Sequence, residues 1–587
     1  MVNAVTLFAK ATRHFMKREY LAAADTFRSA VCLSPERSDL YAHVAMIEHQ
    51  TGIIKKAIED YRRSILINKD NLPSNINCGL LCHLLMRYEE AERHFREAIH
   101  LNANSSESYS NLGLTLQSLR KLGDAEVSLK KALELNPFFT SAWNNLGNIY
   151  LDQGRVDEAI QCFTEAGRHD PMAKNPSFNI AFSELYRQDD PVLVLAQSEF
   201  VARRHLNYPI TLHQKREHTR PTIGFVSGDL RKHPVGLAVA PVAEYLSDMN
   251  YSLFFYSTTP LEDHISRRFR NVGAFVPAYG LDDDELHKRI MLDEIDILVD
   301  LAGYTAGNRL EVFARKPAPI QMTWFGYPGT TGSPQMDYLI ASKTELDGLD
   351  EYFTEKLIKL PHTTVCFEPS YYDPLPSLPF DRNGYITFGS FNVLKKIGSN
   401  VITLWSDILS SVPKSKLLMK SPALDCPDTV SRYRQMFSDR GINPERISFL
   451  GYSSSEEHQE AMGQVDIALD SFPYAGGVTT TECLWMGLPV ITLPKFTYPS
   501  RHSSAYLKSI WLDEFIASSP AEYRKKAISL AENPNYLRAI RFGMRDRLLS
   551  SPLCNIKKFG ELMENVFSSA WFSYISGKSP ISFTVKE

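Results

Sequence analysis

The residues best suited to chemistry lie between Asp466 and Pro489, in DIALDSFPYAGGVTTTECLWMGLP. An apolar run ends in an aspartate, a Pro/Gly turn carries Gly476 and Gly477, and Thr479, Thr480 and Thr481 lead into an apolar segment from Cys483 to Met486. That order reads as strand, glycine loop and helix start. The first N–H groups of a helix have no partner within it, and the positive end of the helix dipole lies there, so the loop suits an anion such as a diphosphate. The same pattern also serves as an ordinary strand-to-helix turn of an α/β sheet. No GxGxxG follows the first strand of either α/β half, where SGDLRKH and GSFNVLKK stand instead, and there is no Walker A sequence. The acidic triplet Asp282 to Asp284 precedes a helical segment and reads as N-terminal capping charge, not as a metal-binding DxD. A diphosphate bound here must therefore be neutralised by cations other than a metal.

Such a loop needs a sheet to hold it, and the last two thirds of the chain alternate strand and helix. Short β-rich runs at Thr222–Ser227, Tyr251–Ser257, Asp296–Leu301 and Pro319–Gly326 are separated by helical segments such as Val235–Ser247 and Asp283–Asp293. A proline-rich stretch, Pro369 to Pro379, interrupts the order, which resumes in YITFGS, SKLLMK, RISFLG, DIALD and PVITLP. The pattern predicts two parallel, Rossmann-like sheets, with a site in the cleft at the C-terminal ends of their strands.

The first third is a repeat array. In rows of 34 residues, Ala23, Ala57, Ala91, Ala125 and Ala159 align, and so do Phe27, Tyr61, Phe95, Leu129 and Phe163. Ala11, Ala45, Gly79, Gly113, Gly147 and Ala181 form a small-residue column, and Pro35, Pro137 and Pro171 fall between units. Small residues let paired helices approach, large ones fill the gap, and proline stops the second helix, as in tetratricopeptide repeats, whose stacks form a superhelix with a peptide-binding concave face. His43, Asn77, Asn111, Asn145 and Asn179 share a further column. Asparagine there serves either packing within the array or a ladder of amides that donate to and accept from a peptide backbone.

Composition sets the outer limits. The chain has 587 residues, 44% hydrophobic and 22% charged, with a net charge of −4, which fits two to four globular domains and gives no support for a nucleic-acid or membrane partner. The eight cysteines include no CxxC pair, so neither a zinc site nor a disulfide framework is expected. No secretory h-region opens the chain and no run is long and apolar enough for a membrane span, so a cytoplasmic location is expected.

The segments SGDLRKHPVG, DLAGYTAGNRLEVFARKPAPIQMTWFGYPGTTG, FGSFNVLKKI and DSFPYAGGVTTTECLWMGLPVITL, in this order after the repeats, resemble the protein O-linked N-acetylglucosamine transferases and their Spindly-type O-fucosyltransferase relatives. The resemblance implies an α plus α/β protein, with an N-terminal all-α tetratricopeptide superhelix followed by a GT-B fold of two Rossmann-like lobes. The expected domains are a repeat domain at 1–200, a linker at 201–221, an N-terminal lobe at 222–368, an inter-lobe linker at 369–384, a nucleotide-sugar lobe at 385–575 and a tail at 576–587. It implies inverting, metal-independent transfer of a sugar, first UDP-N-acetylglucosamine and alternatively GDP-fucose, to Ser or Thr of acceptor proteins held along the repeats. No cofactor beyond the nucleotide sugar is implied. A peptide-binding scaffold with weak or no turnover is the other reading.

By the same resemblance, Lys396 contacts the diphosphate, together with Asn392, Gly476, Gly477 and the three threonines. Surface charge at a helix start is the alternative for the lysine. Glu482 holds the ribose, His458 lies beside the nucleotide, and His233 lines the sugar and acceptor side as an orienting group or general base. Tyr304, Thr305, Pro328, Thr330 and Thr331 lie on that same side, and Asn77, Asn111, Asn145 and Asn179 hold the peptide. The chain departs from the family pattern at Tyr304, where many bacterial relatives have His, at Val478 in place of a third contacting Thr, and at Ala461 and Ala475 in place of Arg and Asn.

Overall fold

The computed structural model describes residues 3–214, 216, 218–369 and 375–587. Residues 370–374 of the expected inter-lobe linker, and 215 and 217 of the earlier one, lie outside the described residues. The chain divides into two compact units, one of residues 1–149 and 168–170, the other of 150–167 and 171–587.

Among the described residues, twelve helices run from Ala4 to His205. The first helix of each pair starts at Ala4, Ser38, Leu72, Ser106, Thr140 and Lys174, and the second at Tyr20, Ile54, Tyr88, Leu122, Val156 and Pro191. The period is thus the one read from the alanine column. Ala23, Ala57, Ala91, Ala125 and Ala159 are fully buried, and the large residues four positions on are at most 1% exposed. A Cβ at Gly79 would fall 2.8 Å from the Phe95 ring, and one at Gly113 would fall 2.5 Å from Leu129 Cγ. The small column exists because the large one presses on it.

The second unit carries two parallel sheets. The first is built from β1 (Ile223–Ser227), β2 (Leu253–Ser257), β3 (Ala274–Pro277), β4 (Ile297–Asp300), β5 (Ile320–Trp324), β6 (Tyr338–Ser342) and β7 (Lys356–Leu360). The second holds β8 (Thr387–Ser390), β9 (Lys416–Lys420), β10 (Ile447–Leu450), β11 (Ile467–Leu469) and β12 (Val490–Ile491). A last strand, β13 (Phe583–Thr584), returns to the first sheet and pairs in parallel with β7. The orders are β13-β7-β6-β5-β4-β1-β2-β3 and β10-β9-β8-β11-β12. Each is doubly wound, so ligands are expected at the C-terminal strand ends.

Alternation along the strands divides the first lobe's core. Ile223, Phe225, Phe255 and Val299 face one cluster, which the C-terminal helix Ile556–Ile575 closes with Phe559, Met563, Phe567 and Trp571. Val226, Tyr256 and Leu298 face the other, which includes Phe178, Leu185 and Val201 from the last two repeat helices. Those helices therefore belong to the lobe's hydrophobic core, and the C-terminal helix packs on the first lobe although the sequence places it with the second. Among the described residues no helix is long and apolar enough to cross a membrane.

Candidate active site

Asp470 follows β11 and opens the glycine loop. Its carboxylate accepts from the backbone N–H of Ser471 (2.9 Å) and Gly476 (2.7 Å), from the Asn392 amide (3.2 Å) and from the Thr492 hydroxyl (2.7 Å). These bonds fold the loop over the strand ends. A Cβ on Gly476 would fall 2.3 Å from Thr480 Oγ1, so the turn needs glycine. Helix Val478–Trp485 then begins at Gly477 with no side-chain cap, and its leading N–H groups remain for a ligand. The threonines differ among themselves. The Thr480 hydroxyl bonds Ser503 (2.7 Å) and that of Thr481 donates to the Val478 carbonyl (2.8 Å), both side chains being buried. Thr479 is half-buried on the open side.

Beside the loop, Ser390, Asn392, Asp470, Thr479 and Thr480 line one small pocket. Ser390 Oγ and Asn392 Oδ1 are buried there without a hydrogen-bond partner. Native proteins rarely leave such groups unmet, so the pair marks a place where a ligand or water completes the bonding.

Lys396 stands across this loop. It lies in a 3₁₀ turn, Leu394–Lys396, ahead of helix Ser399–Ser411 and its Gly398 cap, so the expected helix-start position is corrected. The chain cannot enter the helix at Lys396 because Ile397 and Gly398 are extended or irregular there. Nζ donates to the Ala475 carbonyl at 2.7 Å and lies 4.0 Å from the centre of the Tyr474 ring. Burial pulls its pKa down to about 7, against the opposing pull of Asp470. Lys395 is no free surface charge either, because its ammonium sits over Phe182 (5.4 Å) and Tyr186 (5.1 Å). Tyr186 in turn stacks on Tyr474 at 4.9 Å.

His458, in helix Ser455–Met462, meets the Phe391 ring edge-on at 5.7 Å and lies 3.9 Å from Glu482. Burial takes this imidazole down to about 4, with Lys420 adding to the effect, so the ring is neutral at pH 7. Glu482 keeps 43% of its side-chain surface, yet protein crowds its cleft wall and raises the carboxyl to about 7. From the other lobe, His233 precedes helix Pro234–Asp248 and its Nδ1 accepts from Val235 N–H at 3.3 Å, with Asp229 at 3.6 Å. Burial lowers its pKa against the pull of Asp229. The neutral ring so held carries its proton on Nε2 and offers a donor there. Its neighbour Lys232 reaches Ser455 at 3.5 Å and joins the two lobes at the histidines.

The pattern of glycosyl transferase family 41 matches residues 187–369 and 377–563. The chain belongs to that family. Tetratricopeptide repeats match residues 106–139 and 140–171. A tomato (Solanum lycopersicum) protein named as a probable UDP-N-acetylglucosamine–peptide N-acetylglucosaminyltransferase, SPINDLY, is 34% identical over 425 residues, covering 70% of this chain and 46% of its own. The Arabidopsis thaliana protein SEC, named for the same activity, is 31% identical over 428 residues, covering 68% and 43%. The chain thus spans about half the length of the curated relatives it matches. A variant of the Thermobaculum terrenum O-GlcNAc transferase superposes with a TM-score of 0.82 at 29% identity, covering 86% of this chain and 98% of that one.

In this family 41 chain the remaining residues fall into a supporting tier. Tyr304 is 2% exposed and donates to the Thr331 carbonyl at 2.6 Å. Thr330 Oγ1 (2.7 Å) and Thr331 N (2.7 Å) and Oγ1 (2.5 Å) all bond the buried Glu355 carboxylate. Pro328 lines an apolar pocket with Leu185 and Tyr498. Thr305 donates to the Ala302 carbonyl at 2.7 Å in its own turn. In the acidic triplet, Asp282 caps helix Asp283–Leu292 through a capping box, Asp283 pairs with Arg309 (2.8 Å), and Asp284 pairs with Arg315. Asn77, Asn111, Asn145 and Asn179 are half-buried on the first helices of successive repeats. Sequence reasoning missed Ser390, Lys420 and Lys232. The first two end strands that the sequence does reveal, and position at a C-terminal strand end was the signal available.

Proposed function

We propose that this chain transfers N-acetylglucosamine from UDP-N-acetylglucosamine to Ser or Thr hydroxyls of proteins, with inversion and without a metal. The carrying observation is the convergence of Lys396 and the uncapped start of helix Val478–Trp485 on the loop at Ala475–Gly477. The activity for which the tomato and Arabidopsis relatives are named supports UDP-N-acetylglucosamine as donor. In the reaction the acceptor oxygen forms a bond to the anomeric carbon as the bond from that carbon to the diphosphate oxygen breaks. Negative charge grows on the leaving nucleoside diphosphate, where a fixed ammonium and aligned N–H groups lower the barrier. Burial pulls the pKa of Lys396 down to about 7 in the free protein, and the incoming diphosphate raises it and fixes the charge.

His233 orients substrate through Nε2–H. Its Nδ1 is occupied by the helix start, so the acceptor proton goes to a phosphate oxygen of the donor and not to this ring. Commitment of Asp282, Asp283 and Asp284 to capping and ion pairs supports charge neutralisation by protein groups. Acceptor protein is held along the repeats through the amides of Asn77, Asn111, Asn145 and Asn179, and the composition supports a cytoplasmic location.

The test is incubation of purified protein with labelled UDP- and GDP-sugars and cell lysate. Label from UDP-N-acetylglucosamine should pass to polypeptide and vanish in Lys396→Ala. Transfer from GDP-fucose alone would replace the donor in this reading, and no transfer or hydrolysis of any donor would leave a scaffold. Asn77→Ala/Asn111→Ala/Asn145→Ala should reduce labelling of protein acceptors while sparing slow donor hydrolysis.

A further inference from the structure

The third repeat departs from its neighbours at three positions, two of them fully buried and one half-buried. Cys78, Cys82 and His94 stand where the second and fourth repeats have Val44 and Leu112, Glu48 and Leu116, and Asp60 and Ser128. Cys78 and Cys82 are one turn apart on helix Leu72–Leu84, a spacing that puts both on one face, and His94 comes from the paired helix Tyr88–Leu101. Both cysteines are fully buried. Their two Sγ atoms and one His94 ring nitrogen all lie within 4.8 Å of one another, with Cys78 Sγ 3.4 Å from Nε2. Tetrahedral zinc, with Zn–S of ~2.3 Å and Zn–N of ~2.0–2.1 Å, separates sulfur from nitrogen by roughly 3.6 Å.

The surroundings fix the histidine for this use. Asn75 is 1% exposed and donates its amide N–H to the Asn71 carbonyl at 3.2 Å, which turns Oδ1 toward His94. That oxygen lies 3.1 Å from Nδ1. Nδ1 therefore carries the proton, and Nε2 presents its lone pair toward Cys78, the outer-shell arrangement of histidine ligands. Glu90 lies one turn before His94 on the same helix, with a carboxylate oxygen 3.9 Å from Nε2, and is held by Arg62. The Tyr61 hydroxyl is buried without a partner and lies in electrostatic reach of Cys78.

We propose that Cys78, Cys82 and His94 bind a thiophilic divalent metal, zinc in the first instance, with Glu90 or water in the fourth position, and so staple the two helices of the third repeat. The absence of a CxxC pair hides the site in the sequence, because on a helix the spacing that brings two thiols together is four residues.

The test is titration of the reduced, chelator-treated full-length protein with Co²⁺, followed by displacement with Zn²⁺. The expected result is one Co²⁺ per chain with thiolate-to-cobalt charge transfer and tetrahedral d–d bands, both removed by zinc. Cys78→Ser/Cys82→Ser should abolish the charge-transfer band. Asn75→Ala should weaken binding by roughly 10–100-fold, and Cys32→Ser/Cys554→Ser should leave it unchanged. Should the double variant not fold, X-ray absorption of the zinc-loaded wild type decides, with two sulfur neighbours at ~2.3 Å expected. The proposal is overturned by wild type lacking the thiolate–cobalt band, by an equal band in a folded double variant, by zinc with only oxygen and nitrogen neighbours, or by a Cys78–Cys82 disulfide whose reduced form takes up no metal.

Discussion

Two turns in the second unit share a composition of proline, glycine and threonine and put it to opposite uses. In Pro328–Gly332, both threonines point into protein, where Glu355 accepts three of their N–H and O–H groups. In the turn from Phe472 to Thr481, the carboxylate of Asp470 holds the loop from behind, and the helix start in front is uncapped. A buried carboxylate thus serves both turns, but in the first it consumes the threonine donors, and in the second it takes N–H groups of the loop and leaves the helix start ahead of Thr480 uncapped. The lesson is that a Gly/Thr turn marks a ligand site only when the structure withholds internal acceptors from it.

That contrast can be broken by substitution. Lys396→Ala removes the cation beside the open turn and is expected to lower transfer by ~10²–10³-fold, read from single-turnover rates. Gly476→Ala drives a Cβ to 2.3 Å from Thr480 Oγ1 and should weaken UDP binding by about tenfold or more, measured by calorimetry. The two threonine turns then give a crossed pair. Thr331→Val should lower stability by about 1–3 kcal/mol in denaturant unfolding and leave UDP affinity within about twofold. Thr479→Val should do the reverse, weakening UDP by up to about tenfold with stability little changed. Equal effects of the two would remove the distinction.

The smallest expected effect is in pH dependence. Burial holds Lys396 at about 7 in the free protein, and a bound diphosphate raises it, so binding takes up a proton at higher pH. UDP affinity should therefore be greatest below pH 7 and fall above it by up to about tenfold per pH unit. Glu482, raised to about 7, ionises in the same window, so the comparison is made with Glu482→Gln in both arms. Adding Lys396→Met should flatten the remaining slope.

Much of this was legible in the sequence, and the losses have physical causes. The repeat period, the two parallel sheets and the glycine loop follow from patterns that packing enforces, such as Gly79 beneath Phe95. Strands β3, β6, β7 and β13 escaped: β3 and β13 are short edge strands, and KLIKL carries two lysines among its apolar residues, as a partly exposed strand near a sheet edge does. The docking of helix Ile556–Ile575 on the first lobe is a long-range event that no local pattern encodes. In the site, residue types read well, but whether a hydroxyl is free depends on partners far away in sequence. Thr480 bonds Ser503 and Thr331 bonds Glu355, and neither link has a local signature.

The central claim is that protein groups at one loop, Lys396 and the helix start, bind the diphosphate. Calorimetric titration of UDP into wild type and Lys396→Met, in the presence of a metal chelator, tests it most directly. The account predicts that wild-type affinity survives chelation and that the variant binds at least tenfold more weakly. Loss of wild-type binding on chelation, or equal affinity in the two proteins, would contradict it.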